Sequence, residues 1–172
     1  RDTPRPEAAE AVAALRAQGI QVEIASGDAE APVAALAAEL GIPSYRSRMR
    51  PEDKLARIRE LQAQGAVVAM VGDGINDAPV LAGADVSIAL GSGSALAHSS
   101  AALILMSESL APLPEVLSFA RRTRRIIRQN LGWALLYNAS AIPIAATGVV
   151  TPWMAAIGMS LSSLLVVMNA LR

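Results

Sequence analysis

The sequence contains no cysteine and has few aromatic residues. Without cysteine, these 172 residues can form neither a disulfide framework nor a thiolate metal site. Aromatic residues are 3% of a composition that is 53% hydrophobic, which is an unusual balance for a soluble domain. The formal net charge is zero, so the overall charge gives no support for nucleic-acid binding.

Charge is also absent from the C-terminal quarter of the chain. Every charged residue except Arg172 lies at or before Arg128. Uncharged helices of about 20 residues span the hydrocarbon core of a bilayer. The pattern predicts an α-helical transmembrane hairpin, with spans at about 131–150 and 154–171 and a break at Thr151–Trp153. A buried hairpin in a soluble protein is the alternative, and basic residues on both flanks disfavour it.

A strongly basic segment precedes the first predicted span. Five of its residues are arginine, and a further arginine ends the second span. Basic residues are enriched on the cytoplasmic side of membrane proteins. We therefore predict a basic linker helix at 118–128 and a multi-pass segment in the plasma membrane, with both of its ends facing the cytoplasm.

The part before the linker alternates between helix and strand patterns. Glycine follows each amphipathic segment, as is common at helix ends. The pattern predicts helices at 6–18, 31–40 and 51–64, and strands at 20–25, 66–71, 86–89 and 101–105. This alternation is typical of a Rossmann-like α/β domain, here at 1–117, whose ligands bind at the carboxyl ends of the strands.

Three short motifs carry candidate chemistry. Segment 72–77 reads GDGIND and follows an apolar strand, and its carboxylate and amide oxygens suit Mg²⁺ that is shared with a phosphate. Ser26-Gly27-Asp28 follows an earlier strand and can bind a phosphoryl group at a helix start. Lys54 lies near a helix N-terminus, where the helix dipole disfavours a cation unless an anion is nearby. Taken singly, each motif could be an ordinary turn or a surface residue.

In this order and at these separations, the motifs resemble those of the haloacid dehalogenase superfamily as found in P-type ATPases. The resemblance implies that Asp73 and Asp77 hold Mg²⁺. It implies that Ser26–Asp28 and Lys54 contact the phosphoryl group, and that Asn76 and Asp77 complete the phosphate network. It also implies ATP as the phosphoryl donor, bound mainly upstream of this chain. The phosphorylated aspartate of the DKTGT motif would be upstream as well.

The predicted spans resemble the copper(I)-transporting branch of the same ATPases. Their residues match the patterns NxxxxxxYNxxxxP and MxxSSxxVxxN. The resemblance implies that Tyr137, Asn138, Met159 and Ser163 contribute to the ion path, and a Met thioether is a soft ligand suited to Cu⁺. Taken singly, each of these residues is more simply explained by packing.

The sequence therefore predicts a C-terminal fragment of an ATP-driven copper(I) exporter, similar to those that supply copper for cytochrome oxidase assembly. Its expected partners are membrane lipid, the copper ion and a copper chaperone, and no nucleic acid. A membrane-anchored phosphatase of the same superfamily, a non-enzymatic assembly or regulatory fragment, and transport of silver, zinc or cadmium are the alternatives.

Overall fold

The computed structural model of the chain describes residues 7–72, 77–91, 99, 101–107 and 109–172. The chain divides into two compact units, Arg1–Glu115 and Val116–Arg172. Strands occur in the first unit, and the second unit contains the uncharged segment.

Helices and strands alternate along the first unit, as the sequence predicts. Strands β1 and β2 pair in parallel, and β3, β4 and β5 form a parallel sheet in that order. In chain order the elements are α1 (Ala8–Ala17), β1 (Glu23–Ala25), α2 (Glu30–Glu39), β2 (Ser44–Arg46), α3 (Pro51–Ala63), β3 (Ala69–Gly72), α4 (Ala78–Gly83), β4 (Val86–Leu90) and β5 (Leu103–Leu105). This topology confirms the predicted α/β class.

The ends of the first three helices follow from their sequences. Gly19, Gly41 and Gly65 have φ angles of 79°, 65° and 85°, a left-handed conformation that glycine adopts without a steric penalty. Helix α3 begins at Pro51, and the N–H of the residue before it donates to Asp53 Oδ2 at 2.9 Å. The predicted glycine stops are thus confirmed.

The core of the first unit lies around the central strand β4. Residues 87–90 of this strand are all buried, as a strand covered on both faces requires. Leu81 and Ala89 pack with Met70 and Ala101, while a second cluster is formed by Ile88, Leu90 and Leu105 with Val71, Leu103, Leu110 and Leu113. The core therefore fixes the carboxyl end of β3, where the GDGIND segment begins.

Two long helices, α5 (Pro112–Ala146) and α6 (Pro152–Ala170), complete the chain. The predicted linker at 118–128 lies within α5, and the same helix includes the first predicted span up to Ala146; it continues through Pro143 and ends four residues before 150. No strong helix breaker lies between its basic and uncharged parts. Gly148, with φ of 76°, lies in the turn between α5 and α6.

Among the described residues, one helix is both long enough and apolar enough to cross a membrane. It is α6, with 19 residues and a mean hydropathy of 1.6. This assignment rests on length and composition alone. Helix α5 does not reach the hydropathy that this requires, since its uncharged part includes Gln129, Asn130 and Asn138.

Candidate functional site

The Ser26–Asp28 turn closes on itself directly after β1. Ser26 Oγ donates to Asp28 Oδ2 at 2.8 Å, and the Asp28 N–H donates back to Ser26 Oγ at 3.2 Å. Local side-chain bonds of this kind stabilise a turn before a helix. Helix α2 begins two residues later. The hydroxyl of Ser26 is thus held in place at the carboxyl end of a strand.

The same turn is bonded to the segment that leads into α3. The Met49 N–H donates to Ser26 O at 2.9 Å, and the Arg48 N–H donates to Asp28 O at 2.8 Å. Arg48 takes a left-handed conformation, with φ of 53°. A Cβ on Gly27 would lie 3.4 Å from Met49 O. These bonds join the turn to the start of the helix that carries Lys54.

Lys54 connects α3 to Asp77, the last residue of the GDGIND segment. Its Nζ donates to Asp77 Oδ1 at 2.8 Å, and the two side chains are only 15% and 16% exposed. This contact supplies the anion that a lysine near a helix N-terminus needs. Gly72 leaves room for it, because a Cβ there would lie 3.2 Å from Asp77 Cβ and 3.3 Å from Oδ2.

The three predicted motifs are therefore connected through hydrogen bonds and one ion pair. Asp73 and Asn76 lie outside the described residues. Within the ranges that the structure describes, no three acidic, His or Cys side chains cluster as a metal site would. The carboxylates of Asp28 and Asp77 are oxygen donors of the kind that Mg²⁺ prefers. The residues present thus fit Mg²⁺ in chemistry, although Asp77 Oδ1 is already bonded to Lys54.

An ion cluster joins β1, β2 and α3, and the sequence did not predict it. Glu23 Oε1 and Oε2 accept from Arg57 Nε and Nη2 at 3.0 and 2.9 Å, while Ser44 Oγ donates to Glu23 Oε2 at 2.9 Å. Arg46 Nε is a second cationic partner for this carboxylate, at 3.2 Å from Glu23 Oε1. A glutamate inside the apolar strand pattern IQVEIA was the available signal, since a half-buried carboxylate needs partners.

These contacts shift the titration of both partners. Hydrogen bonding from Arg57 is the largest influence on Glu23 and lowers its pKa, with partial burial acting in the opposite direction. The bond to Glu23, followed by one to Glu60, raises the pKa of Arg57. Arg57 lies three residues after Lys54, so the cluster fixes α3 one turn beyond the Lys54 contact.

Helices α5 and α6 pack as an antiparallel pair in the second unit. Asn130 Nδ2 donates to Val166 O at 3.3 Å, and Trp133 Nε1 donates to Ser162 Oγ at 3.1 Å. Asn169 Nδ2 donates to Asn130 Oδ1 at 2.8 Å. These bonds join polar side chains across two largely apolar helices, an arrangement common between helices in membranes.

Tyr137 belongs to this helix interface. A Cβ on Gly158 would lie 2.9 Å from the Tyr137 hydroxyl, so glycine admits the ring. Asn138, Met159 and Ser163 are exposed, and Met159 is 63% exposed. Asn138 Nδ2 donates to the carbonyl of Ala134 in its own helix.

These three exposed residues, Asn138, Met159 and Ser163, nevertheless lie on one side of the hairpin. Asn138 follows the interface residue Tyr137, and Met159 and Ser163 follow the interface residues of α6. Each step along a helix turns a side chain by about 100°. In antiparallel helices these turns lead to the same side of the pair. Asn138, Met159 and Ser163 therefore face one side, next to Tyr137.

Comparison with known proteins places this geometry in a family. A family model described as haloacid dehalogenase-like hydrolase matches residues 1–85. Nitrogen fixation protein FixI of Bradyrhizobium diazoefficiens is 48% identical over 168 residues, covering 98% of this chain and 23% of the relative. A zinc-transporting PIB-type ATPase in its E2.Pi state superposes with a TM-score of 0.93 at 38% identity, covering 100% of this chain and 28% of that one. The chain belongs to the heavy-metal P-type ATPase family.

A further relative of this heavy-metal P-type ATPase chain is named for copper export. The probable copper-exporting P-type ATPase V of Mycobacterium tuberculosis is 46% identical over 171 residues, covering 99% of this chain and 22% of the relative. The chain spans about a quarter of the length of the curated relatives that it matches, and it corresponds to their C-terminal part. The predicted family and haloacid dehalogenase-like fold are confirmed.

Proposed function

We propose that this heavy-metal P-type ATPase chain takes part in ATP-driven export of copper(I) through an aspartyl-phosphate cycle. The single observation that carries the proposal is the linked cluster of the Ser26–Asp28 turn, Lys54 and Asp77, with Lys54 Nζ 2.8 Å from Asp77 Oδ1. A half-buried ammonium beside a fixed hydroxyl turn, at the carboxyl ends of parallel strands, suits a phosphoryl group.

Each residue of the cluster then has a role in phosphoryl transfer. Asp77 positions the Lys54 ammonium, which together with the Ser26 hydroxyl and the Gly27 N–H binds phosphoryl oxygens. Asp73 would hold Mg²⁺, with Asp77 beside it and Asn76 completing the network. When bound, Mg²⁺ neutralises charge that develops on the phosphoryl oxygens.

The phosphorylated aspartate would come from a segment outside these 172 residues. Strands β1 and β3 are edge strands among the described residues. One precedes the Ser26–Asp28 turn and the other leads towards Asp77. An aspartate on a strand lying between these edges would have the Ser26 turn on one side and Asp77 on the other.

Copper(I) is favoured by the side of the hairpin that carries Asn138, Met159 and Ser163. A thioether is a ligand for soft cations, and amide and hydroxyl oxygens beside it can complete a path next to Tyr137. The copper-exporting relative supports this assignment. The zinc-transporting structure, matched over the whole chain, makes zinc the second candidate cargo.

The proposed setting is the plasma membrane. Helices α5 and α6 would both cross it through their uncharged parts, with the basic segment of α5 and Arg172 on the cytoplasmic side. Residues 1–117 would form the C-terminal part of the phosphorylation domain and 118–128 the linker. Lipid would surround the hairpin, and a copper chaperone would deliver the ion.

Metal-stimulated ATP hydrolysis by the complete protein in proteoliposomes tests the proposal. We expect stimulation by Cu(I), with Ag(I), Zn(II) and Cd(II) as comparisons. Met159→Ala should weaken that stimulation while leaving phosphorylation by inorganic phosphate intact. Stimulation by Zn(II) alone would replace copper with zinc, and phosphate-ester hydrolysis without any metal response would indicate a phosphatase.

A further inference from the structure

Charge is divided unequally between the two units of the chain. All fifteen acidic residues and nine of the fifteen basic ones lie at or before Glu115, so residues 1–115 carry a formal charge of −6. Residues 116–172 contain six arginines and no acidic residue, which gives +6. Residues 116–172 therefore contain no carboxylate side chain.

Four of these arginines form one face of α5. With Gln129 they line a single groove, and their spacing of three, four and seven residues is that of one helix face; they are Arg121, Arg124, Arg125 and Arg128. They are exposed, whereas the residues of α5 that face α6 include Asn130 and Tyr137. By helical periodicity, the centre of this arginine face points away from α6.

The arginine face lies immediately before the uncharged part of α5. Arg128 is the last charged residue before that part begins at Gln129. A helix entering a bilayer at this point would hold the arginines at the depth of lipid headgroups. Guanidinium groups bind phosphate through paired, charge-assisted hydrogen bonds.

We infer that the arginine face of α5 binds the phosphate groups of anionic phospholipids. The inference rests on the proposed membrane crossing of α5, and it adds a partner chemistry that copper transport does not require. Lipid is favoured over an acidic protein or a nucleic acid because the face is continuous with the uncharged part of the same helix. The lipid would anchor α5 at the membrane surface.

The test compares lipid preference in nanodiscs that contain the complete protein. Spin-labelled phosphatidylglycerol and phosphatidylcholine are each titrated into phosphatidylcholine nanodiscs, and their relative association constants are measured. One arginine near an anionic surface changes association by about fivefold. We expect Arg124→Gln/Arg128→Gln to reduce the preference for phosphatidylglycerol by about five- to 25-fold.

Matched controls separate this site from general charge. Arg50→Gln/Arg59→Gln removes the same charge from exposed positions of the first unit and should leave the preference unchanged. Arg124→Lys/Arg128→Lys should keep most of it, since the charge remains. An unchanged preference in the Arg124→Gln/Arg128→Gln variant would overturn the inference, as would an equal loss in the first-unit control.

Two further measurements distinguish lipid from free phosphate as the ligand, and separate the lipid site from the proposed transport. Soluble glycerol 3-phosphate should not displace the labelled lipid, and displacement would assign the face to free phosphate instead. Lipid preference is measured without ATP or metal. A protein that keeps its phosphatidylglycerol preference but shows no metal-stimulated hydrolysis would refute the proposed transport while leaving the lipid site intact.

Discussion

Glu23→Gln should loosen the first unit where β1, β2 and α3 meet. The substitution keeps the side-chain size but removes the charge that holds Arg57, a pair whose side chains are 18–19% exposed. Breaking a fully buried pair costs about 3–5 kcal/mol and an exposed pair at most about 1 kcal/mol. For this half-buried pair we expect a loss of about 2 kcal/mol in local stability.

Hydrogen exchange measured by mass spectrometry reports this loss directly. The Ser26 N–H donates to Arg46 O, so peptides covering residues 23–26 and 44–46 carry the relevant amides. A loss of about 2 kcal/mol corresponds to roughly 30-fold faster exchange when opening is at equilibrium. Glu60→Gln is the matched control, because Glu60 also bonds Arg57 but is 53% exposed. The control should change exchange by less than about threefold.

The pH dependence of the same peptides has a defined sign. Because Arg57 lowers the pKa of Glu23 in the folded state, its contribution is fully present above the unfolded pKa, near 4.5. Protection should therefore fall as the pH drops below that value through the lower folded pKa. In the Glu23→Gln variant this acid-dependent part should be absent. Equal exchange in wild type and Glu23→Gln at neutral pH would refute the reasoning.

Two further predictions concern close helix contacts. Gly83→Ala would place a Cβ 2.2 Å from Leu55 Cδ1, so Leu55 must take another rotamer. We expect the free energy of unfolding, measured with urea, to fall by about 1–2 kcal/mol. Adding Leu55→Ala to the same chain should relieve the steric clash. Gly158→Ala would place a Cβ 2.9 Å from the Tyr137 hydroxyl, so spin labels on α5 and α6 should report wider separation. Gly132→Ala, with no atom within 4 Å, should leave that separation unchanged.

Much of the fold could be predicted because long periodic segments and glycine stops are local signals. Strand β2 was missed since it has three exposed residues and no apolar alternation. Helix α4 was missed because six residues are too few to show a helical period. Helix α5 includes both the predicted linker and most of the first predicted span, since the change from basic to uncharged residues marks a change of environment, which a helix can cross unbroken.

The candidate site was predictable in its motifs but less so in its contacts. The resemblance implied that Lys54 contacts the phosphoryl group, and the structure has Lys54 bonded to Asp77 of the GDGIND segment. The pairing of Glu23 with Arg57 joins residues 34 positions apart, and no local pattern encodes such a partner. The role of Gly72 in admitting Asp77 likewise depends on the tertiary approach of two segments.

Phosphoenzyme formation in the complete protein tests the central claim most directly. The cluster of Ser26, Lys54 and Asp77 is proposed to bind the transferred phosphoryl group, so the measurement is acid-stable incorporation of phosphate from radiolabelled ATP. We predict that Lys54→Gln lowers its rate by about 100-fold or more, while Arg59→Gln on the same helix keeps the wild-type rate. Wild-type phosphorylation in the Lys54→Gln protein would contradict the account.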